Sequence, residues 1–339
     1  MVTPQSAGEI LKLRVLARTL SAVLTIAIYA GCGDSTGPDP LVWTVVQSPA
    51  FGPVTGISGT SSSDVWAVGR NGGVLHFNGA TWSKVSTGFA HTPIDVWART
   101  PSDVWIVGTD GIIPNGFGFP TILHYNGTVW SITSSPTRGL LTSIWGSSGS
   151  DVWAVSDSGE VVHYDGTSWS SDLSQINERL HTIWGTSASD VWAGGDHALL
   201  HYDGSRWTKV SSEVQVFGLW GTSRSDVWSV GSPEFLLHYD GSTWSSMESG
   251  FGPPPIPTGY YSQPLAVWGS SASNVWIAGK DVGPVDDTCC AKMAHYNGTS
   301  WSDVPLAANT PFIIALWGSS ASDVWAASRD GIYHGTRAR

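Results

Sequence analysis

Charge is scarce in this chain. Asp, Glu, Lys and Arg make up 13% of its 339 residues, about half the share of an ordinary globular protein. The 16 basic side chains are outnumbered by 27 acidic ones, for a formal net charge of −11. That balance leaves no positive footprint for DNA or RNA. Cysteine is scarcer still, at 3, which excludes a disulfide-dense miniprotein and a multi-cysteine zinc framework. Long apolar runs are missing too. The stretch from Thr19 to Ala30 is well short of the roughly 20 residues that span a bilayer as a helix. There is no His-Glu-x-x-His, phosphate-cradling glycine loop, EF-hand string or Gly-x-Ser-x-Gly elbow. The arginines are too dispersed for a sialidase-type site, and the carboxylates fall mostly in turns, so no glycosidase pair stands out. No catalytic residues, no metal site and no cofactor are expected.

Tryptophan is abundant instead, with 20 copies, and these recur in columns. Asp-Val-Trp occurs at 64–66, 103–105, 151–153, 190–192, 226–228 and 323–325, and Asn274-Val-Trp276 is a seventh copy. The copies are 36 to 49 residues apart, the period of a repeat architecture. His-Tyr-(Asp/Asn)-Gly-x-x-Trp follows the first six copies, with Phe77 for Tyr in the first. It supplies Trp82, Trp130, Trp169, Trp207, Trp244 and Trp301. An aliphatic-Trp-Gly segment precedes the motif and supplies Trp145, Trp184, Trp220, Trp268 and Trp317, with Trp97 in a degraded copy. The first repeat has Ile57-Ser58-Gly59 there. Only Trp43 is left over, and it reads like the strand after an Asp-Gly turn.

Each repeat reads as four short strands. In the third repeat these are Leu141 to Trp145, Val152 to Val155, Val161 to Tyr164, and a strand at Trp169 after the Asp165-Gly166 turn, a strong hairpin signal. Four strands repeated seven times predict an all-β fold, a seven-bladed β-propeller of four-stranded blades over residues 41–339. The seventh repeat lacks its fourth strand, and Trp43 heads an extra one. The N-terminal strand is therefore expected to complete the last blade and close the ring, which removes exposed edges between blades. The repeats resemble WD-repeat and Asp-box propellers, and especially the Trp-rich propeller repeats of exported bacterial lipoproteins. They lack the Trp-Asp dipeptide of true WD repeats and the Asp-x-Gly of the Asp-box. Fold alone does not carry a function across.

Residues 1–31 read as an export signal. Lys12, Arg14 and Arg18 precede the short apolar run, which ends in Tyr29-Ala30-Gly31-Cys32. Small residues before a cysteine resemble the lipobox of bacterial lipoproteins, with Tyr29 where an aliphatic residue is usual. The resemblance implies lipidation at Cys32, a tether over 32–40, and a membrane-anchored protein of the bacterial cell envelope, at the outer membrane or cell surface. An ordinary secretory signal with a free Cys32 is the alternative, and it also exports the chain.

Residues present once per blade read as structural. The Trp columns are expected to pack blade against blade. The Asp of Asp-Val-Trp is expected to fix a turn through local backbone bonds, and the recurrent His to bond a turn within its own blade. Function is sought where the repeats differ. The first and third turns barely vary, whereas the second turn and the blade-to-blade connection vary greatly, and both emerge on one face. The main insertions lie at 109–121, 245–264 and 280–292. Phe117, Phe119, Tyr260, Tyr261, Asp286 and Asp287 are the candidate binding residues they supply. Cys289 and Cys290 are candidates for a vicinal disulfide in an oxidising compartment. His91, His181 and His197 fall on the same face and are expected to be solvated. The expected function is a recognition or scaffold module for a protein or polysaccharide, anchored to a lipid bilayer and without a nucleic-acid partner. The alternative is a carbohydrate-active enzyme, a glycoside hydrolase or polysaccharide lyase with a site at the ring centre.

Overall fold

The computed structural model describes residues 41–49, 52–70, 73–110, 118–172, 176–232, 236–251, 261–282 and 290–337. The leader, the tether and Cys32 lie outside them, as do Phe117, Tyr260, Asp286, Asp287 and Cys289. The described residues form seven antiparallel sheets of four strands each. Blade 1 is β2 (Val54–Ser61), β3 (Asp64–Gly69), β4 (Gly73–Phe77) and β5 (Trp82–Lys84), paired in that order. The inner strands of blades 2 to 7 are β6 (His91–Thr100), β10 (Leu141–Ser148), β14 (Leu180–Ser187), β18 (Gln215–Ser223), β22 (Tyr261–Ser271) and β26 (Ile313–Ser320). Blade 7 continues through β27 (Asp323–Ser328) and β28 (Gly331–Arg337), and its outer strand is β1 (Leu41–Val45). Trp43 pairs with Gly335 in that ladder. The expected closure is present.

The second strand of each blade is sandwiched on both faces, so it reads as a continuous apolar run and not as an alternation. β3 and β15 (Asp190–Gly195) are buried at every residue. The Asp-Val-Trp tryptophans form seven joints between blades. Each meets the outer-strand tryptophan of the next blade edge-on, with centroids 5.3–5.9 Å apart, a favoured aromatic geometry. Trp276 of blade 6 meets Trp43, so the N-terminal strand provides the seventh joint.

The motif Asp bonds across its turn as expected, though to a side-chain hydroxyl and not to backbone, and it does more. In six blades its Oδ1 accepts from the recurrent His of the third strand, at 2.6–2.9 Å. That imidazole packs against the motif Trp, with centroids 3.7–4.3 Å apart across the seven blades. In most blades a Ser or Thr four residues earlier donates to the second oxygen, as Thr60 does to Asp64 and Ser147 to Asp151. The Asp thus ties the first three strands of its blade together through side chains. Burial works to raise these carboxyls, but the imidazole and hydroxyl donors overcome it. Asp64, Asp151, Asp190, Asp226 and Asp323 are held below the ordinary Asp range.

A four-stranded meander puts its first and third turns at one end and its second turn and exit at the other. Asp110, Pro120, Tyr261 and Val282 are the strand ends that flank residues 111–117, 252–260 and 283–289. All four belong to the second end, so the strand ends that flank these segments share one face.

Candidate functional site at the channel mouth

Every inner strand carries a β-bulge near its start, on the side of the variable face. The register slips between Val54 and Gly56, Pro93 and Asp95, Leu141 and Ser143, and at the matching place in the other four blades. A bulge leaves one residue unpaired and re-aims its side chain. The seven unpaired residues are Thr55, Ile94, Thr142, His181, Phe217, Leu265 and Ile314, and all line one cavity of about 240 Å³ on the ring axis. Elsewhere the blades are near copies of one another. In this ring they are not: two threonines, a histidine, a phenylalanine and three aliphatic residues line a common space.

One residue further along the inner strands is a second ring of Gly56, Asp95, Ser143, Thr182, Gly218, Ala266 and Ala315. Six are small and neutral, and Asp95 is the exception. Its Oδ2 accepts from Ser143 Oγ at 2.9 Å and from the Ile144 amide at 3.1 Å, which ties blade 2 to blade 3. Its Oδ1 accepts from the Val96 amide at 2.9 Å. Burial pushes its carboxyl up to about 6, against the pull of those donors, and no cation of the described residues contributes.

His181 is held from outside the cavity. Its Nε2 donates to Asp196 Oδ1 at 2.9 Å, and the same oxygen accepts from Gln215 Nε2 at 2.6 Å. Phe217 packs beside the imidazole, with centroids 5.4 Å apart. Burial opposes ionisation of Asp196, but the His181 and Gln215 donors hold it below the usual carboxylate range. The ring is therefore fixed with Nε2 bearing the proton toward Asp196.

The expectation of solvated histidines holds for His197, which is exposed with φ of 51°, and fails for the other two. His91 is 3% exposed, its Nδ1 donates to the Phe89 carbonyl, and burial lowers its pKa. His181 is wall, not loop. The bulge explains both, because strands begin earlier on this face than the repeat motifs suggest.

Of the candidate binding residues, Phe119 is 77% exposed and Tyr261 is 39% exposed. Phe119 is pinned by its backbone, donating to Asp110 Oδ1 at 2.6 Å. Tyr261 opens β22 opposite Val282. Cys290 is exposed and forms an isolated bridge with Pro311. Phe117, Tyr260, Asp286, Asp287 and Cys289 fall outside the described residues. No group of three or more His, Cys, Asp or Glu side chains among the described residues is placed to hold a metal ion.

Asp95 and His181 were legible only as members of columns, two and three residues before the aliphatic-Trp position. Asp95 is the one acid in its column and His181 the one imidazole in its own. Seeing that requires knowing which column faces the axis.

No known family model and no curated protein sequence matches the chain. Solved structures do. The chain is similar to YCF48 bound to a D1 peptide, with a TM-score of 0.66 at 15% identity over 89% of this chain and 100% of that one. It is similar to streptogramin B lyase, with a TM-score of 0.69 at 12% identity over 88% and 98%. It is similar to the WD40 β-propeller domain of Doa1, with a TM-score of 0.66 at 12% identity over 89% and 98%. At these identities the likeness shows the fold alone, a β-propeller that spans nearly the whole of each chain.

Proposed function

We propose that this chain is a recognition module that binds an extended segment of another protein across the variable-face mouth of its channel. One observation carries this reading. The blades repeat one another in every column that packs the ring, yet the seven bulge residues at the mouth differ in size and polarity. A surface assembled from seven dissimilar side chains can distinguish successive side chains of a ligand, which a uniform ring could not. The exposed Phe119 and Tyr261 extend the apolar contact beyond the mouth. A propeller of the same fold has been seen with a bound peptide, which supports the reading by analogy. In this reading the leader exports the chain and Cys32 anchors it at a membrane surface.

The enzymatic alternative calls for a pair of carboxylates at the axis. The described wall offers one, Asp95, and its acceptor sites are largely occupied. A polysaccharide ligand is the remaining competitor. The full chain is screened against a displayed peptide library and a polysaccharide panel, with Phe217→Ala in parallel. Peptide binding that weakens at least tenfold in Phe217→Ala is the expected result. Polysaccharide binding with no peptide binding would overturn the reading. The mass of the N-terminal peptide of the exported protein reports whether Cys32 carries lipid.

A further inference from the structure

We infer that the channel selects a ligand segment carrying one cationic side chain, a Lys ammonium or Arg guanidinium, which enters the mouth and pairs with Asp95. This rests on the peptide-recognition reading and specifies the chemistry of its ligand.

Among the described residues Asp95 is the only carboxylate lining the cavity. A carboxylate offers about four acceptor sites, and three are occupied: two on Oδ2 by Ser143 and Ile144, one on Oδ1 by Val96. The free site is on Oδ1. Blade 1 meets that atom with a glycine, since a Cβ added at Gly56 would stand 2.8 Å from Asp95 Oδ1. The other blades place Gly, Ser, Thr or Ala in this column, so ring packing needs no acid here. An asparagine oxygen would accept from Ser143 and Ile144 without a charge, giving up only the bond from the Val96 amide. The charge is thus held against its own desolvation, and burial raises the carboxyl accordingly. The tie between blades 2 and 3 needs acceptors at this position but not a net charge, and the charge is explained by a ligand that compensates it.

The surroundings favour the same ligand. Ile94, Leu265 and Ile314 line the cavity beside Asp95, and apolar neighbours strengthen a charge pair. Phe217 also lines the cavity and supplies an aromatic ring of the kind that attracts a cation. The cavity of about 240 Å³ corresponds to about eight waters at ~30 Å³ each, room for a side chain and not for a folded domain. His181 is the one other titratable group of the wall among the described residues, and its imidazole is paired with Asp196. In the loops of the variable face carboxylates outnumber bases, and the inserted segments 111–117, 252–260 and 283–289 contain no Lys or Arg. A positive ligand meets an acidic approach.

The test begins with peptides selected on the full chain from a random displayed library. Selected sequences are expected to share a Lys or Arg, and replacing that residue by norleucine in a synthetic, end-capped peptide is expected to weaken binding at least tenfold. Asp95→Asn is expected to remain folded, melting higher than the parent at pH 8 and no lower at pH 4. It is expected to lose the same tenfold and to be indifferent to the norleucine change. In the parent, binding at pH 6 is expected to release protons, seen calorimetrically as a dependence on buffer ionisation heat, and to release none at pH 8. Abolition of the proton release in Asp95→Asn assigns it to this carboxyl. Free spermidine competes for the site if the charge alone suffices, and fails to compete if the peptide backbone is also read; either result requires Asp95. Selected peptides without a shared base, or with a base whose removal changes nothing, would overturn this inference and leave peptide recognition standing. Failure to select any peptide would overturn both.

Discussion

Asn274 shows what the motif acid does by replacing it. It occupies the Asp position of blade 6 and keeps two of the bonds, accepting from Ser270 Oγ and from the Trp276 indole. Its amide nitrogen then faces His295 Nε2 at 3.0 Å, and an amide N–H can donate only to an unprotonated imidazole nitrogen. Burial lowers the His295 pKa to about 4, and no carboxylate is there to restore it. Between about pH 4 and the free-histidine value of about 6.5, the unfolded chain binds a proton at this site that the folded chain does not. Stability from this blade therefore rises with pH through that window and is lost as the solution is acidified. The substitution Asn274→Asp is expected to raise the His295 midpoint by about two pH units or more, followed by its imidazole proton resonances. A midpoint that stays near 4 would mean that burial outweighs an adjacent carboxylate, and that the acid in the other six blades has only a geometric role.

Between elements, the aliphatic-Trp-Gly segment is a lock whose two parts sit on different blades. The Trp of one inner strand lies over the Gly of the next. A Cβ at Gly146 would come within 2.6 Å of the Trp97 ring, and one at Gly269 within 2.5 Å of Trp220. Blade 1 has Ser58 in place of Trp, and blade 2 correspondingly has Ala98 in place of Gly. Ser58 Oγ there accepts from the Ala98 amide at 3.1 Å. Gly146→Ala is accordingly expected to destabilise by about 1–3 kcal/mol, the usual effect of overpacking. In a Trp97→Ala background the same change is expected to cost much less, and denaturant melts of the two singles and the double measure the coupling. Additive effects would show that the glycine is required by its own backbone and not by the tryptophan. Locks of this kind made the architecture readable from sequence. Trp, Gly and the Asp-Gly turns impose backbone geometry, and that geometry recurs every 36 to 49 residues. The channel mouth was not readable in the same way. Its bulge residues follow no motif, and whether Asp95 or His181 faces solvent, core or axis depends on a register slip that leaves no residue signature. Aromatic insertions were the visible irregularity, so Tyr260 and Phe117 drew attention that a single acid in a column of small residues did not.

A ring differs from an open stack of repeats in having no end. In a solenoid each repeat answers to its neighbours and fraying begins at the termini. Here the termini are joined. Leu41 to Val45 pair with Arg337 to Tyr333, the Val46 amide donates to the Ile332 carbonyl at 2.9 Å, and Trp43 fills the joint with Trp276. Releasing β1 would expose the edge of β28 and one face of blade 6 together, so the loss would not stay in the last blade. The channel gains from this too, because its mouth takes one residue from each of the seven blades and keeps its shape only while the circle is shut. Trp43→Ala is expected to destabilise the whole ring by about 3 kcal/mol, the lower end for truncating a large aromatic, since Trp43 is half-buried. The informative measurement is native-state hydrogen exchange far from the change. If closure is global, the slowest amides around Trp153 and Trp192, in the blades opposite the seam, exchange about a hundredfold faster, the factor that 3 kcal/mol implies at 1.4 kcal/mol per tenfold. If only the amides of β26 to β28 accelerate, the seam is a local clasp, and the remaining blades hold the channel open without it.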